Sequence, residues 1–551
     1  PLIEGDIFIP PGRNALINTA YRWTFPIPYI LSDNLNAKGT VFQAFEMYRL
    51  KSCVDFKPYE GERTYIKFEK LDGCFSSVGE QPGGQVLSLG PGCDHKAVVE
   101  HELLHALGFY HMQSRQDRDD YVKIWLDQVI DGLQHNFNKY DDSFVTDLNT
   151  PYDYESVMHY RPFSFNKDPN IPTITTNIPE FFNIIGQYLD FSEQDIVRLN
   201  RMYNCTSSLT LLDQCTFEHI NICGMIQSSS DDGDWVHTKS SSGSAHTLIG
   251  QPRGQYTGYA MYFDTAVGNA LESGLLESRL LYPKRKLQCL QFFYKMNGSS
   301  KDRLAIWVKM DDGTGTVPDD DETWKIAHVP MQVGVKFRYV FQAVSGDPAN
   351  STGGVFIDDI SLMETRCPAA VWRIHNFSDI MQTANHNTVL NSPRFYSSEG
   401  YAFGVSVYPL SSYTDYSGDY TGLYFHLASG ENDRAMKWPA VDRQATITVM
   451  DQDADIKLRM SSARSLTTDL VTSRAKSPEG KLYWDNPAKV GTYDPDCQCY
   501  RGKSRGWRNF IKHFDLLKFV CHVYFILSAM FSFCEDLTPL KNSEVPIAME
   551  N

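Results

Sequence analysis

In Val41–Leu50 and again in Val98–Leu107, apolar side chains return every three or four residues, which predicts two helices that each bury one face. Tyr65–Phe68 and Val86–Leu89, which lie between them, are short apolar runs that predict strands. Ser207–Leu212 is a polar-to-apolar linker, and beyond it the helical period fades. Gln291–Tyr294, Leu304–Val308 and Phe337–Phe341 are brief apolar runs separated by Gly, Asp and Ser clusters, among them Asp311–Glu322. That pattern predicts an antiparallel β-sandwich.

Phe519–Cys534 stands apart as 16 residues without Lys, Arg, Asp or Glu. As a helix it would be about 24 Å long, short of the ~30 Å hydrocarbon core. The basic cluster Arg501, Lys503, Arg505, Arg508 and Lys512 lies on its N-terminal side. Positive-inside logic would then place the preceding sequons and cysteines in the cytoplasm, so a buried strand is expected in place of a membrane span.

Residues 101–111 read His-Glu-Leu-Leu-His-Ala-Leu-Gly-Phe-Tyr-His. On a helix, His101 and His105 project from one face, so two imidazoles can reach one metal ion. Glu102 is placed to take a proton from a water at that metal. Gly108 lets the chain leave the helix through a conformation other residues resist, and His111 can then supply a third nitrogen. Three protein ligands describe a catalytic zinc site, whereas a structural one would be closed by four. Ser156-Val157-Met158-His159-Tyr160 begins 45 residues after His111.

These residues, together with Arg115, Asp117, Arg118 and Asp119, resemble the astacin branch of the metzincins. Within that branch the order of the later segments is similar to that of the meprin family, its alpha-type members above all. The resemblance implies a tight turn with Met158 beneath the metal, and Tyr160 as a mobile residue that holds the oxyanion. It implies one zinc ion per chain on His101, His105 and His111. Glu102 then serves as general base toward water and as proton donor to the leaving amine. Residues 1–13 resemble the end of a propeptide, in which Asp6 takes the place of the catalytic water on zinc. Cleavage between Arg13 and Asn14 then releases it. Residues 213–367 resemble a MAM domain and residues 368–536, from Ala370-Val371-Trp372-Arg373-Ile374 onward, a MATH (TRAF-like) sandwich. The implied fold class is multidomain: an α+β metzincin protease at 14–206, two antiparallel β-sandwiches and a tail at 537–551. The sandwiches carry no catalytic residues and are expected to work in assembly as homo- or hetero-oligomers. Membrane association is expected only through a partner subunit.

A length of 551 residues suits about three or four domains. The net charge of −16, with no basic stripe, argues against a nucleic-acid partner. The chain starts at Pro1 without initiator Met or signal peptide, and reads as a processed or truncated form. Its 12 cysteines lack C-x-x-C spacing and fall in even numbers per segment, which suits disulfides and an extracellular, secreted protein. The family resemblance implies Cys53–Cys205, Cys74–Cys93, Cys215–Cys223 and Cys289–Cys367. Sequons at Asn297, Asn350 and Asn376 agree with that compartment. In Gly354-Val355-Phe356-Ile357-Asp358-Asp359-Ile360 the acidic pair reads as a solvated turn in preference to a calcium site.

Three departures from the family pattern stand out. Met112 follows the third histidine where the family has a glutamate that contacts the new N-terminus, so looser ordering after Asn14 is expected. Leu133 and Tyr188 occupy the pocket positions where meprins preferring acidic residues after the cut carry basic ones. Gly250–Gly254 lacks the cysteine that links two meprin subunits. The leading expectation is a zinc endopeptidase acting on peptides and extracellular matrix proteins; the alternative is an adhesion or scaffold protein with a weakened protease.

Overall fold

The computed structural model describes residues 2–8, 21–140, 146–239, 258–309, 321–415, 418–469, 482–516 and 523–532. Arg13, Asn14 and Gly250–Gly254 lie outside the described residues. The described residues divide into two compact units, one drawn from residues 2–209, 369–451 and 460–532, the other from residues 210–368 and 452–459.

The first unit opens on a mixed sheet. Its strands are β1 (Leu2–Ile3), β2 (Ile7–Phe8), β3 (Ile27–Leu31), β4 (Phe56–Pro58), β5 (Ile66–Glu69), β6 (Cys74–Ser76) and β7 (Gln85–Leu89), in the order β1-β2-β6-β7-β5-β3-β4. β3, β4, β5 and β7 run parallel, and β6 is antiparallel to β7. Two helices pack on this sheet, α1 (Lys38–Lys51) and α2 (Lys96–Ala106), where sequence periodicity predicts Val41–Leu50 and Val98–Leu107. Val41, Ala44, Phe45 and Tyr48 of α1 and Val99, Leu103 and Leu104 of α2 share one core with Ile66, Phe68 and Leu87. A third helix, α3 (Glu193–Tyr203), starts at a reciprocal capping box between Ser192 and Asp195. Cys53–Cys205 and Cys74–Cys93 are disulfide-bonded.

The same unit contains a sandwich of a four-stranded and a six-stranded sheet. In its four-stranded sheet Val523–Ser532 is a strand between Ala370–Ile374 and Arg443–Val449, within the uncharged run of the sequence. This sandwich packs directly on the protease helices. Thr40 N–H donates to Ser465 Oγ at 2.9 Å, and Gly39 N–H to Gln444 Oε1 at 3.1 Å. A Cβ on Gly39 would stand 2.7 Å from Thr446 Oγ1, so a side chain there would force the two layers apart. Just before α2, Asp94 accepts from Arg464 at 2.6 Å and from the Trp507 indole at 2.5 Å.

The second unit is an antiparallel sandwich of a six-stranded and a four-stranded sheet, closed by Cys215–Cys223 and Cys289–Cys367. Asp358 and Asp359 correct the sequence reading. They do not form a solvated turn but lie inside the strand Gly354–Met363, exposed by only 1% and 4%. Asp359 adopts φ of +46° where the pairing with Leu287–Met296 shifts register, a bulge at which both side chains are buried. No helix among the described residues is long and apolar enough to cross a membrane.

Candidate metal centre and its comparisons

The middle and C-terminal half of α2 carries the first two ligand histidines. Gly108, at φ of +107°, ends the helix and turns the chain so that His111 comes back to the same point. His101 Nε2 lies 3.1 Å from His105 Nε2 and 3.2 Å from His111 Nε2. Nitrogens held by one tetrahedral ion at Zn–N of about 2.0–2.1 Å would be separated by about this much. Asp6 enters from the hairpin of β1 and β2. Its Oδ2 is 3.2 Å from His101 Nε2 and from His111 Nε2, and its Oδ1 is 3.5 Å from His105 Nε2. Asp6, His101, His105 and His111 form the one group of three or more ligand side chains found among the described residues. Asp358 and Asp359 are in no such group.

The second nitrogen of each ring decides whether these imidazoles suit a metal. His101 Nδ1 meets Val157 C=O at 2.8 Å, His105 Nδ1 meets Phe109 C=O at 2.7 Å, and His111 Nδ1 meets a Glu4 carboxylate oxygen at 2.6 Å. A carbonyl accepts only from N–H, so the proton sits on Nδ1 and the Nε2 lone pairs point at the common centre. Three neutral nitrogens with an oxygen opposite are a donor set that zinc accepts.

Glu102 is buried, and its Oε2 has no hydrogen-bond partner in the protein. Burial first, and the Asp6 charge second, push its carboxyl well above the usual range.

Met158 is wholly buried, and its carbonyl accepts from Met112 N–H at 2.9 Å, which ties its turn to the loop after His111. Asp195 holds that turn in place, accepting from Ser156 Oγ at 2.6 Å and Val157 N–H at 2.8 Å. The capping-box spacing of Ser192 and Asp195 is the signal that could have found this support. Tyr160 is buried beside His111, with ring centroids 4.5 Å apart, and its hydroxyl donates to the Glu4 carbonyl. Leu133 is half-buried on a cluster that includes Met112, Phe137 and Tyr160. Tyr188 packs on the main protease core, with the Arg161 guanidinium 3.8 Å from its ring centroid. Arg161 and Glu4 escaped sequence reasoning because nothing local marks either one.

Comparison with known proteins matches residues 15–204 to the astacin peptidase family, residues 215–368 to the MAM domain and residues 369–524 to the MATH domain. Rat "Meprin A subunit alpha" is 55% identical across 99% of this chain and 74% of its own length. The chain belongs to the meprin family. Human "Meprin A subunit beta" is 44% identical over 99% of this chain and 79% of its own length. A solved medaka (Oryzias latipes) hatching-enzyme zinc protease, high choriolytic enzyme 1, is 36% identical, covering 35% of this chain and 98% of its own, with a TM-score of 0.33. As a meprin, the chain is a zinc metalloendopeptidase whose protease domain is followed by MAM and MATH sandwiches.

Proposed function

We propose that this meprin is held latent by its own N-terminal hairpin and cuts peptide bonds once that hairpin is released. The observation that carries this reading is Asp6 Oδ2, 3.2 Å from two ligand nitrogens, where a water would otherwise sit. β2 lies parallel against the sheet-edge strand β6, with Ile7 opposite Ser76. It therefore covers the backbone that an extended substrate would pair with. Zinc on His101, His105 and His111 supplies a Lewis acid and a positive charge at this point.

Glu102 is the general base toward water and then the proton donor to the leaving amine, as its buried, unpartnered oxygen suits. Tyr160 serves the oxyanion after its hydroxyl leaves the Glu4 carbonyl. Leu133 and Tyr188 line the substrate pocket, and Arg161 adds a positive charge beside Tyr188. Cleavage after Arg13 makes Asn14 the new N-terminus. The MATH sandwich braces α1 and α2 through Ser465, Gln444 and Arg464, and the MAM and MATH domains mediate assembly into homo- or hetero-oligomers. The disulfides and the sequons at Asn297, Asn350 and Asn376 support an extracellular chain, with Asn350 and Asn376 exposed and Asn297 half-buried.

Trypsin treatment with and without a chelator tests the reading. Intact protein should be inactive, cleaved protein active, and chelated protein inactive. Asp6→Ala should raise the activity of intact protein. Intact wild type that turns over as fast as cleaved protein would remove Asp6 from this role.

A further inference from the structure

The hairpin inserts two carboxylates, and only Asp6 faces the metal position. Glu4 sits in the turn between β1 and β2 at φ of +48°, a conformation that costs a non-glycine residue energy, and it is 2% exposed. One carboxylate oxygen accepts from His111 Nδ1–H at 2.6 Å and the other from Ser114 Oγ–H at 2.8 Å. The Tyr140 hydroxyl also hydrogen-bonds Glu4. His111 and Ser114 are themselves 2% and 1% exposed. The three donors belong to the protease framework, whereas the acceptor belongs to the segment that cleavage after Arg13 removes.

We infer that His111, Ser114 and Tyr140 form a carboxylate-binding slot of the protease, occupied by Glu4 in the latent form and by a carboxylate of a bound peptide after activation. The inference rests on the zinc-site reading above. Removing Glu4 leaves buried donors without an acceptor, which is costly until another group takes them. A carboxylate suits them better than a neutral acceptor, because a hydrogen bond to an ionised group is roughly twice as strong. The slot lies behind the third ligand. Its occupant therefore also fixes the His111 tautomer and ring orientation, as a carboxylate partner of a metal-bound imidazole does.

The test uses the trypsin-activated full chain and the synthetic peptide Pro-Leu-Ile-Glu-Gly-Asp-Ile-Phe added in trans. Binding is measured by calorimetry with zinc present and after chelation. Replacing the peptide's Glu by Gln should weaken binding at least about tenfold in both states. Ser114→Ala protein should discriminate less between the two peptides. Replacing the peptide's Asp by Asn should matter only with zinc bound. Equal binding of the Glu and Gln peptides overturns the slot. If the Asp effect survives chelation while the Glu effect stands, the Asp6–zinc reading fails and the slot does not. Competition between acetyl-glutamyl amide and sodium acetate identifies the source. Stronger displacement by the former supports a peptide side chain; equal displacement supports a free carboxylate and overturns the assignment to bound peptide.

Discussion

The protease and the MAM sandwich bury carboxylates in opposite ways. Under α2, Lys51 and Lys96 both reach Asp190, Lys51 at 2.7 Å, and Lys96 also meets Glu100 at 3.1 Å. Two cations face two carboxylates with side chains no more than 2% exposed, although burial and the Asp190 charge still push Glu100 upward. In the sandwich, Asp358 and Asp359 are neighbours in one strand, and burial pushes both well up. Arg459 pulls Asp359 the other way but does not cancel that shift. The protease therefore uses paired charge to pin its helix, while the sandwich accommodates its acids by favouring their protonated form. On α2 itself the two strategies meet a third. Lys96 and Glu100 are spent on structure, whereas Glu102 keeps an oxygen without a protein partner. A helix anchored at one end can hold reactive groups in place at the other.

That contrast can be broken at Glu102 first. Glu102→Gln should lower turnover by roughly 10²–10⁴-fold. Zinc content and melting temperature should stay near wild type, because no ligand and no ion pair is lost. Unchanged turnover in the trypsin-activated variant would take Glu102 out of the chemistry.

Asp190→Asn should do the reverse. It leaves Lys51 and Lys96 buried without their shared anion, a loss of about 3–5 kcal/mol in the protease. Urea unfolding followed by a protease-specific probe should show it. Zinc stoichiometry in the folded fraction should be kept.

Acidification sharpens the comparison, because His159 of the protease and the aspartate pair of the sandwich should respond with opposite signs. His159 is buried between the Tyr152 hydroxyl and the Tyr160 carbonyl, and burial lowers its pKa from 6.5 to about 4. The folded state thus resists a proton that the unfolded chain accepts. Stability present above pH 6.5 is lost as pH falls toward 4, by about 3 kcal/mol. Asp358 and Asp359 are raised, so their contribution is present at low pH and is lost as pH rises through their folded values. Calorimetric scans between pH 4 and 7 should show the MAM transition gaining on acidification, and the wild-type protease transition falling relative to that of His159→Gln. A protease slope that His159→Gln leaves unchanged would refute the contrast.

The smallest effect concerns Met112. Its side chain is wholly buried among Val122, Val129, Phe137, Ile174 and Ile185. While residues 2–8 are in place, Met112→Glu should cost about 1–3 kcal/mol, because it buries a carboxyl in an apolar cluster. After cleavage the same substitution offers a partner to the Asn14 ammonium and should recover part of that loss. Melting temperatures before and after trypsin give the comparison.

Short-range pattern was legible from the chain alone. The four-residue spacing of His101 and His105, the glycine at 108 and the apolar period of α1 and α2 depend only on helix geometry, which any sequence of that spacing obeys. Local pattern failed at Asp358 and Asp359, where an acidic pair after an apolar run looks like a turn. The bulge that buries it is set by pairing with a strand more than sixty residues earlier. Only the tertiary structure decided which further groups, beyond those the family resemblance implies, hold the metal centre and α2 in place. Glu4 stands 107 residues from His111 and Lys51 stands 139 from Asp190. Such contacts are made by the path of the whole chain. Their partners carry no shared spacing, and a buried donor reveals which acceptor it needs only when the fold has excluded water from both.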